Sequence, residues 1–186
     1  EKEVVDFIQN RFPTEIIDHK SKFPFTNLYA TPETLGIDRM VLAAGATLMY
    51  PNQNRLIIDA GTCITYDFVN AENQYLGGAI SPGIKIRYKS LNNYTSKLPL
   101  LSLSENFDII GNSTKSAIHS GVINGVLFEI EGFISQYSLK NQDLTIILTG
   151  GDAEFLAKRL KSTIFANSNF LLESLNLLSL YTQKND

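Results

Sequence analysis

The alternation of hydrophobic and polar positions along the chain predicts a mixed order of helices and strands. Apolar residues three and four apart in residues 2–12 indicate an amphipathic helix, which Pro13 ends. Residues 56–59 form a short apolar run typical of a buried strand, and residues 64–69 alternate as a half-buried strand does. A third apolar run at residues 75–80 follows after a short polar turn, so the three segments predict an antiparallel meander.

The rest of the chain is mainly helical in pattern. Further strands are predicted at residues 16–17, 144–148 and 170–172. Helices are predicted from about residue 38 to residue 50, over residues 84–93 and 114–137, from residue 152 to about residue 160, and over residues 175–183. An order of this kind predicts an α/β domain with a mixed sheet.

Composition limits the classes of function. The chain has 186 residues, of which 44% are hydrophobic and 19% charged, and its net charge is -3. These values are ordinary for a globular protein and give no basic surface for nucleic acid. The longest apolar stretches are shorter than a membrane span, so no membrane segment is expected. Cys63 is the single cysteine, and His19 and His119 lie far apart in sequence, so neither a disulfide nor a zinc site is predicted.

The segment Asp59-Ala-Gly-Thr62 falls at the turn between the first two strands of the predicted meander. A glycine at Gly61 lets backbone N–H groups approach phosphate oxygens, and the Thr62 hydroxyl can donate to the same oxygens. Asp59, at the end of a strand, can hold a cation beside them. A plain β-turn is the alternative for so short a motif, but polar Asp59, Thr62 and Thr65 interrupt an otherwise apolar run.

A second motif, LTGGDA at residues 148–153, places two glycines between a buried strand and a helix that Asp152 can cap. Bare backbone at Gly150 and Gly151 suits a flat base or ribose and an anionic group at a helix N-terminus. A glycine-rich connection without a ligand is common in α/β folds, so this motif alone leaves both interpretations open.

A third motif, GIDR at residues 36–39, precedes a helix of small apolar residues. Asp38 could act as a general base on a substrate hydroxyl, and Arg39 could pair with a substrate carboxylate or phosphate. A helix-capping Asp38 beside an exposed Arg39 is the alternative interpretation.

A fourth motif, GNST at residues 111–114, precedes the long predicted helix, which Ser113 or Thr114 would cap. Within that helix Gly121 and Gly125 share a face, because residues four apart are neighbours on a helix surface. They would let another element approach closely, either the sheet or a second subunit.

Taken in order, these motifs resemble those of the type III pantothenate kinases, in the superfamily of acetate and sugar kinases, Hsp70 and actin. The resemblance rests on Tyr29, TLGIDR at 34–39, LIIDAGTCITYD at 56–67, YLGGAISPG at 75–83 with Leu98-Pro99, GNSTKSAIHSG at 111–121 and ILTGGDA at 147–153. It implies ATP-dependent phosphorylation of pantothenate to 4′-phosphopantothenate, the first step of coenzyme A biosynthesis. It also implies a ribonuclease H-like actin/sugar-kinase fold with mixed β-sheets. Residues 1–50 would then belong to a first lobe, incomplete in this chain, and residues 51–186 would form the second lobe.

The resemblance also implies roles for particular residues. Asp38 falls at the position of the catalytic base, and Asp59 at the position of a monovalent-cation ligand. The implied pantothenate-binding residues are Tyr29, Gly36, Ile37, Asp38, Arg39 and Thr114, the last of which reaches the substrate from the partner subunit. The implied ATP contacts are Gly61, Thr62, Gly150 and Gly151. The implied cofactors are ATP with Mg²⁺ and a monovalent cation, K⁺ or NH₄⁺, and the implied assembly is a cytoplasmic homodimer with its substrate site at the interface.

Two features depart from the family pattern. The family opens with an Asp-x-Gly-Asn-Thr loop that these residues lack, and the chain begins at Glu1 in mid-pattern, so a preceding segment is expected. The Glu-Gly-Leu triplet of the family reads ESL at residues 173–175. The alternatives are a non-catalytic transcriptional accessory factor of this family and a kinase of the same fold for another small hydroxyl substrate. Retention of Asp38, Asp59 and Thr62 favours an active kinase, because a binding protein needs no base.

Overall fold

A computed structural model describes residues 2–185, in which six strands form one mixed sheet. The strands are β1 (Thr26–Asn27), β2 (Asn54–Ala60), β3 (Cys63–Val69), β4 (Gln74–Pro82), β5 (Leu144–Thr149) and β6 (Phe165–Ala166). The helices are α1 (Lys2–Gln9), α2 (Ile37–Met49), α3 (Ile84–Asn93), α4 (Thr114–Lys140), α5 (Ala153–Ala157) and α6 (Phe170–Asn185), with a short 3₁₀ helix over Pro32–Thr34. The predicted α/β class with a mixed sheet is confirmed.

The sheet has the strand order β1-β4-β3-β2-β5-β6. Strands β2, β3 and β4 form the predicted antiparallel meander, while β5 runs parallel to β2 and β6 runs parallel to β5. Because parallel neighbours end at the same edge of a sheet, the end of β2 lies beside the end of β5, where Asp59 is the partner of Thr149. The DAGT and LTGGDA motifs therefore meet at one edge.

Helices cover both faces of the sheet, and each face has its own hydrophobic core. Alternation along β2 sends Ile58 into the core with α3, α4 and α5, and sends Ile57 into the core with α2 and α6. The division into residues 1–50 and 51–186 stays a prediction. From the first range, strand β1 pairs with β4 and helix α2 packs on β2 and β3, so both ranges contribute to one layered sheet.

Two predicted strands are wrong. Residues 170–172 form the first turn of α6, which continues without a break through the helix predicted at residues 175–183. Residues 16–17 belong to no strand of the described sheet. Apolar runs of two or three residues fit one turn of a buried helix as well as a strand, so their pattern cannot separate the two.

Helix α4 corrects the expectation that no segment is long and apolar enough to cross a membrane. By length and composition its 27 residues pass that test, and 44% of its most apolar stretch is buried inside the fold. The buried residues Val122, Val126 and Ile130 pack on the sheet beside α3 and α5. This is the arrangement of a core helix, whose apolar stripe faces the sheet.

Helices α2 and α6 approach closely at Gly45 and Ser174, the residue that departs from the family triplet. A Cβ atom at Gly45 would lie 1.9 Å from the Ser174 hydroxyl oxygen and 2.8 Å from the Ser174 Cα, so glycine is needed there. Ser174 is fully buried, and its hydroxyl oxygen has no hydrogen-bond partner. A buried hydroxyl without a partner carries an uncompensated desolvation cost.

We therefore expect Ser174→Ala to raise the free energy of unfolding by about 1 kcal/mol, because it removes the unpaired hydroxyl. Urea unfolding at pH 7 measures the change. Ser138→Ala is the matched control, since Ser138 is an exposed residue of α4 and gains only helix propensity. Equal gains for the two variants would show that the Ser174 hydroxyl carries no penalty.

Candidate active site

The turn between β2 and β3, which the sequence predicts to bind phosphate, is held against the start of α3. The N–H of Gly61 donates to the carbonyl oxygen of Cys63 at 2.9 Å, and the N–H of Gly83 donates to the carbonyl oxygen of Thr62 at 3.0 Å. The Gly61 amide is thus already bonded within the turn. The exposed Thr62 hydroxyl makes no hydrogen bond within residues 2–185, so it is free to contact a ligand.

Gly150 and Gly151 lie beside this turn and have different surroundings. Gly150 has a φ of 94°, and a Cβ there would lie 2.4 Å from Asp59 Oδ1 and 2.5 Å from the Ala60 carbonyl oxygen. The N–H of Asp152, at the N-cap position of α5, donates to that same carbonyl at 2.9 Å. At exposed Gly151 a Cβ would meet no atom within 4 Å. The turn itself requires Gly150, whereas Gly151 borders open space.

This difference separates a glycine that the fold requires from one that borders open space. We expect Gly151→Ala to keep the wild-type melting temperature and to raise the KM for ATP about tenfold, because the new methyl group would occupy ligand space. We expect Gly150→Ala to destabilise the protein by about 1–3 kcal/mol through backbone strain and contact with Asp59. Thermal unfolding and ATP titrations measure the two effects. An unchanged KM for ATP in Gly151→Ala would show that the nucleotide does not contact this surface.

The carboxylate of Asp59 is half-buried and has two other carboxylates nearby. Burial raises the pKa of Asp59, and the negative charges of Asp38 and Asp67 raise it further. No hydrogen bond or ion pair to the Asp59 side chain is found in the described part of the chain. A bound cation would relieve this repulsion, so the surroundings of Asp59 suit a cation ligand.

The described residues offer no preformed cage for a divalent metal. Within residues 2–185, no group of three or more His, Cys, Asp or Glu side chains is arranged to hold a metal ion. Mg²⁺ keeps several waters and takes phosphate oxygens together with one or two carboxylates, so it needs no such cage.

Asp38 lies exposed in the first turn of α2. Its Oδ1 accepts a hydrogen bond from the N–H of Arg39 at 2.8 Å. A Cβ at Gly36 would lie 2.4 Å from the same oxygen, so this glycine leaves room for the carboxylate to fold back on the backbone. The other oxygen of Asp38 has no partner among the residues described, which leaves it available to accept a proton.

Arg39 is buried, so the interpretation of an exposed arginine is wrong. Its Nε donates to Asp67 Oδ1 at 2.9 Å, and its Nη2 lies 2.6 Å from the same oxygen in an ion pair. The hydroxyls of Tyr75 and Thr65 donate to the two oxygens of the same carboxylate, at 2.5 Å and 3.1 Å. Burial alone lowers the pKa of Arg39, but the hydrogen bond and charge of Asp67 raise it above its ordinary value.

Asp67 is the residue of this site that sequence reasoning missed. The period of two along β3 already predicts Thr65, Asp67 and Val69 on one face, opposite Ile64 and Tyr66. An acidic residue at a buried strand position needs a charged partner, and that requirement was the available signal.

Tyr29 lies next to this ion pair. The guanidinium carbon of Arg39 is 5.9 Å from the centre of the Tyr29 ring. Gly77, with a φ of 101°, makes room for the ring, since a Cβ there would lie 3.2 Å from Tyr29 Cδ2. Ile37 packs on the core shared by α2 and α6. Tyr29, Gly36, Ile37, Asp38 and Arg39 thus lie on the side of the sheet that carries Asp67, and Asp38 is close enough to Asp59 for its charge to raise the pKa of Asp59.

Thr114 is not brought to this edge within one chain. It is the first residue of α4, which Ser113 caps through a capping box with Ser116. Thr114 lines a groove of about 670 Å³ between α3 and α4, together with Arg87. Helices α2 and α4 cover opposite faces of the sheet, and no described contact joins Thr114 to Asp38.

Gly121 and Gly125 of α4 are open to solvent or to a long side chain. A Cβ at Gly121 would meet nothing within 4 Å, and a Cβ at Gly125 would meet only Arg87 Nη1 at 3.9 Å. Close approach of the sheet, one of the two uses considered for these glycines, is therefore wrong for Gly121.

A threonine-bearing turn, an adjacent glycine loop and nearby carboxylates at the end of a mixed sheet suit an ATP-dependent phosphotransferase, because phosphoryl transfer depends on alignment and charge neutralisation. A family model described as type III pantothenate kinase matches residues 1–136. A type III pantothenate kinase of Flavobacterium johnsoniae is 60% identical over 186 residues, which is 100% of this chain and 76% of that protein. One of Flavobacterium psychrophilum is 62% identical over 181 residues, which is 97% of this chain and 75% of that protein.

The chain belongs to the type III pantothenate kinase family, and it is a kinase with the actin/sugar-kinase fold. A solved structure described as a Baf family transcriptional activator, from Campylobacter jejuni, is also similar, with a TM-score of 0.69 and 21% identity. That alignment covers 99% of this chain and 80% of the other. At this identity the similarity supports the fold alone.

Proposed function

We propose that this protein transfers the γ-phosphoryl group of ATP to the hydroxyl of pantothenate, giving 4′-phosphopantothenate and ADP. The observation that carries the assignment is the shared edge of β2 and β5, where the DAGT turn and the Gly150 loop meet near Asp38. Relatives at 60% and 62% identity are named for this activity. They do not favour the alternative of a non-catalytic accessory factor.

Asp38 acts as the general base in this proposal. Its free carboxylate oxygen takes the proton of the pantothenate hydroxyl. At the same time the pantothenate oxygen bonds to the γ-phosphorus, and the bond from that phosphorus to the ADP oxygen breaks. The exposure of Asp38 gives a substrate hydroxyl access to it. Phosphoryl transfer depends mainly on alignment and charge neutralisation, so one base and fixed binding groups suffice. The residues proposed to bind pantothenate beside it are Tyr29, Gly36, Ile37 and Arg39.

The nucleotide contacts follow the two loops at the sheet edge. We assign the phosphates to the turn at Gly61 and Thr62, where the Thr62 hydroxyl is the free donor, and the adenosine to Gly150 and Gly151. Asp59 is the proposed ligand of K⁺ or NH₄⁺, and its crowded carboxylate supports this role because a cation would offset the repulsion. Mg²⁺ would be held mainly by the ATP phosphates and would supply neutralisation of the charge that moves to the leaving oxygen.

We also propose a cytoplasmic homodimer. Thr114 is exposed at a groove remote from Asp38, so it can serve a substrate only if a second copy presents its own site there. Exposed Gly121 in the same groove leaves room for that copy. The molar mass in solution, measured by light scattering, tests this, and a monomeric mass would exclude a shared substrate site. We further propose that residues 1–50 belong to a first lobe and residues 51–186 form the second.

The test of function is product formation by the natural protein with ATP, Mg²⁺, K⁺ and pantothenate, followed by mass spectrometry. We expect a product whose mass equals that of 4′-phosphopantothenate. Product with a sugar or acetate but none with pantothenate would overturn the substrate. No product with any acceptor would favour the accessory-factor alternative.

A further inference from the structure

The carboxylate of Asp67 is the most completely satisfied charged group near the sheet edge. Its exposure is 0%, and it accepts hydrogen bonds from Arg39, Tyr75 and Thr65. A carboxylate taken fully out of water needs a paired cation and several donors, and Asp67 has both. It lies on β3, four positions after Cys63, the first residue of that strand.

Asp67 binds the guanidinium of Arg39, and Arg39 follows directly after Asp38, the proposed base. The Oδ1 of Asp38 and the Cδ of Arg39 lie 2.4 Å and 3.9 Å from one point, the position of a Cβ on Gly36. Both atoms therefore lie close to Gly36, while the guanidinium of Arg39 is turned toward Asp67 on β3. Without Asp67, we expect rotation about the Arg39 side-chain bonds to bring the guanidinium within reach of the Asp38 carboxylate, whose Oδ1 already accepts the Arg39 N–H.

An ion pair at Asp38 would oppose its proposed role. Arginine stabilises the charged form of a carboxylate, so a paired carboxylate takes up a proton less readily. A bidentate arginine would also cover the oxygen that must face the substrate hydroxyl. Both effects would slow proton transfer without preventing ATP from binding.

We propose that Asp67 is a positioning residue of this kinase: it binds the Arg39 guanidinium on β3 and so keeps that cation from pairing with Asp38. Asp67 touches neither substrate in this proposal and acts through Arg39. Tyr75 and Thr65 complete the carboxylate's hydrogen bonds and fix its orientation. The inference rests on the proposed function, and in particular on Asp38 as the base.

The first test is Asp67→Asn, which keeps the shape of the side chain and removes its charge. We expect kcat to fall about tenfold or more at saturating pantothenate, while the KM for ATP stays near the wild-type value. Thr65→Val is the matched control, because it removes one hydrogen bond to the same carboxylate and leaves the charge of Asp67 in place. We expect its kcat to stay within about threefold of wild type.

The second test is the double variant Arg39→Met with Asp67→Asn, which removes both charges from the buried pair. If the released guanidinium causes the loss, kcat of the double variant recovers about fivefold or more over Asp67→Asn, although the KM for pantothenate rises if Arg39 binds that substrate. Thermal unfolding of both variants accompanies the assay, because a purely structural role for Asp67 predicts that the loss and recovery of kcat follow the melting temperature, whereas the proposal predicts them in variants that stay folded at the assay temperature. A kcat that follows the melting temperature, a double variant as slow as the single variant or slower, or an unchanged kcat in Asp67→Asn would overturn the proposal.

These outcomes are separate from the test of function. Product formation by the wild-type protein decides the reaction, and the effect of Asp38→Asn decides the base. The recovery of the double variant over Asp67→Asn decides only whether Asp67 restrains Arg39.

Discussion

Asp38→Asn is expected to lower kcat by about 10²–10⁴-fold while the protein stays folded. Asparagine has the same shape, and its side-chain oxygen can still accept the N–H of Arg39, as Asp38 does at 2.8 Å. It cannot take a proton from the pantothenate hydroxyl. Because Asp38 is exposed and makes no ion pair in the described residues, loss of its charge costs little stability.

The measurement is the rate of ADP formation at saturating ATP and pantothenate, with a thermal unfolding curve for each variant. Glu33→Gln is the control, since Glu33 is an exposed carboxylate on the 3₁₀ helix that precedes α2. We expect that variant to keep wild-type kcat, which separates the base from a general effect of negative charge near α2. A rate for Asp38→Asn within a few-fold of wild type would remove Asp38 from the role of base.

The meeting of the two glycine motifs follows from features that the sequence makes visible. Residues 56–59 and 144–148 are both short apolar runs, each ending directly in a polar and glycine-rich segment. A run that is apolar on every residue indicates a strand buried on both faces, and such strands commonly pair in parallel with a crossover between them. The register that places Asp59 opposite Thr149 confirms this reading of two core strands.

The ion pair between Arg39 and Asp67 could not be predicted from the sequence. The two residues of the ion pair are 28 positions apart, and the contact depends on α2 lying across the face of β3 that carries Asp67. Periodicity assigns faces within one element but does not say which helix covers which face. The start of α6 was mispredicted for a related reason, because the apolar triplet at residues 170–172 is too short to show a period of 3.6 or 2.

Asp59→Asn is expected to change stability and catalysis in opposite directions. Burial and the charges of Asp38 and Asp67 raise the pKa of Asp59 in the folded protein. Its ionised form therefore costs stability whenever no cation is bound. Asparagine removes this cost, so the melting temperature of the variant without ligands should exceed that of wild type at pH 7. The same change removes the proposed cation ligand, and we expect kcat to fall about 10²-fold or more.

The pH dependence of the melting temperature tests whether ionised Asp59 destabilises the folded protein. A carboxylate whose pKa is raised on folding is protonated in both states below its unfolded pKa of about 3.9, so its cost disappears there and grows as the pH rises through the folded value. The gain in melting temperature of Asp59→Asn should therefore shrink as the pH is lowered from 7 toward about 4.

The effect of K⁺ on the melting temperature tests whether Asp59 binds a cation or only lies close to other carboxylates. If Asp59 binds K⁺ or NH₄⁺, KCl with ATP should raise the melting temperature of wild type more than NaCl at equal ionic strength does, because a ligand of the folded state stabilises it by mass action. In Asp59→Asn the two salts should act equally. A variant that is less stable than wild type at pH 7, or one that keeps the response to K⁺, would contradict the assignment. The repulsion that makes Asp59 costly in the unliganded protein is, on this argument, what a bound cation relieves.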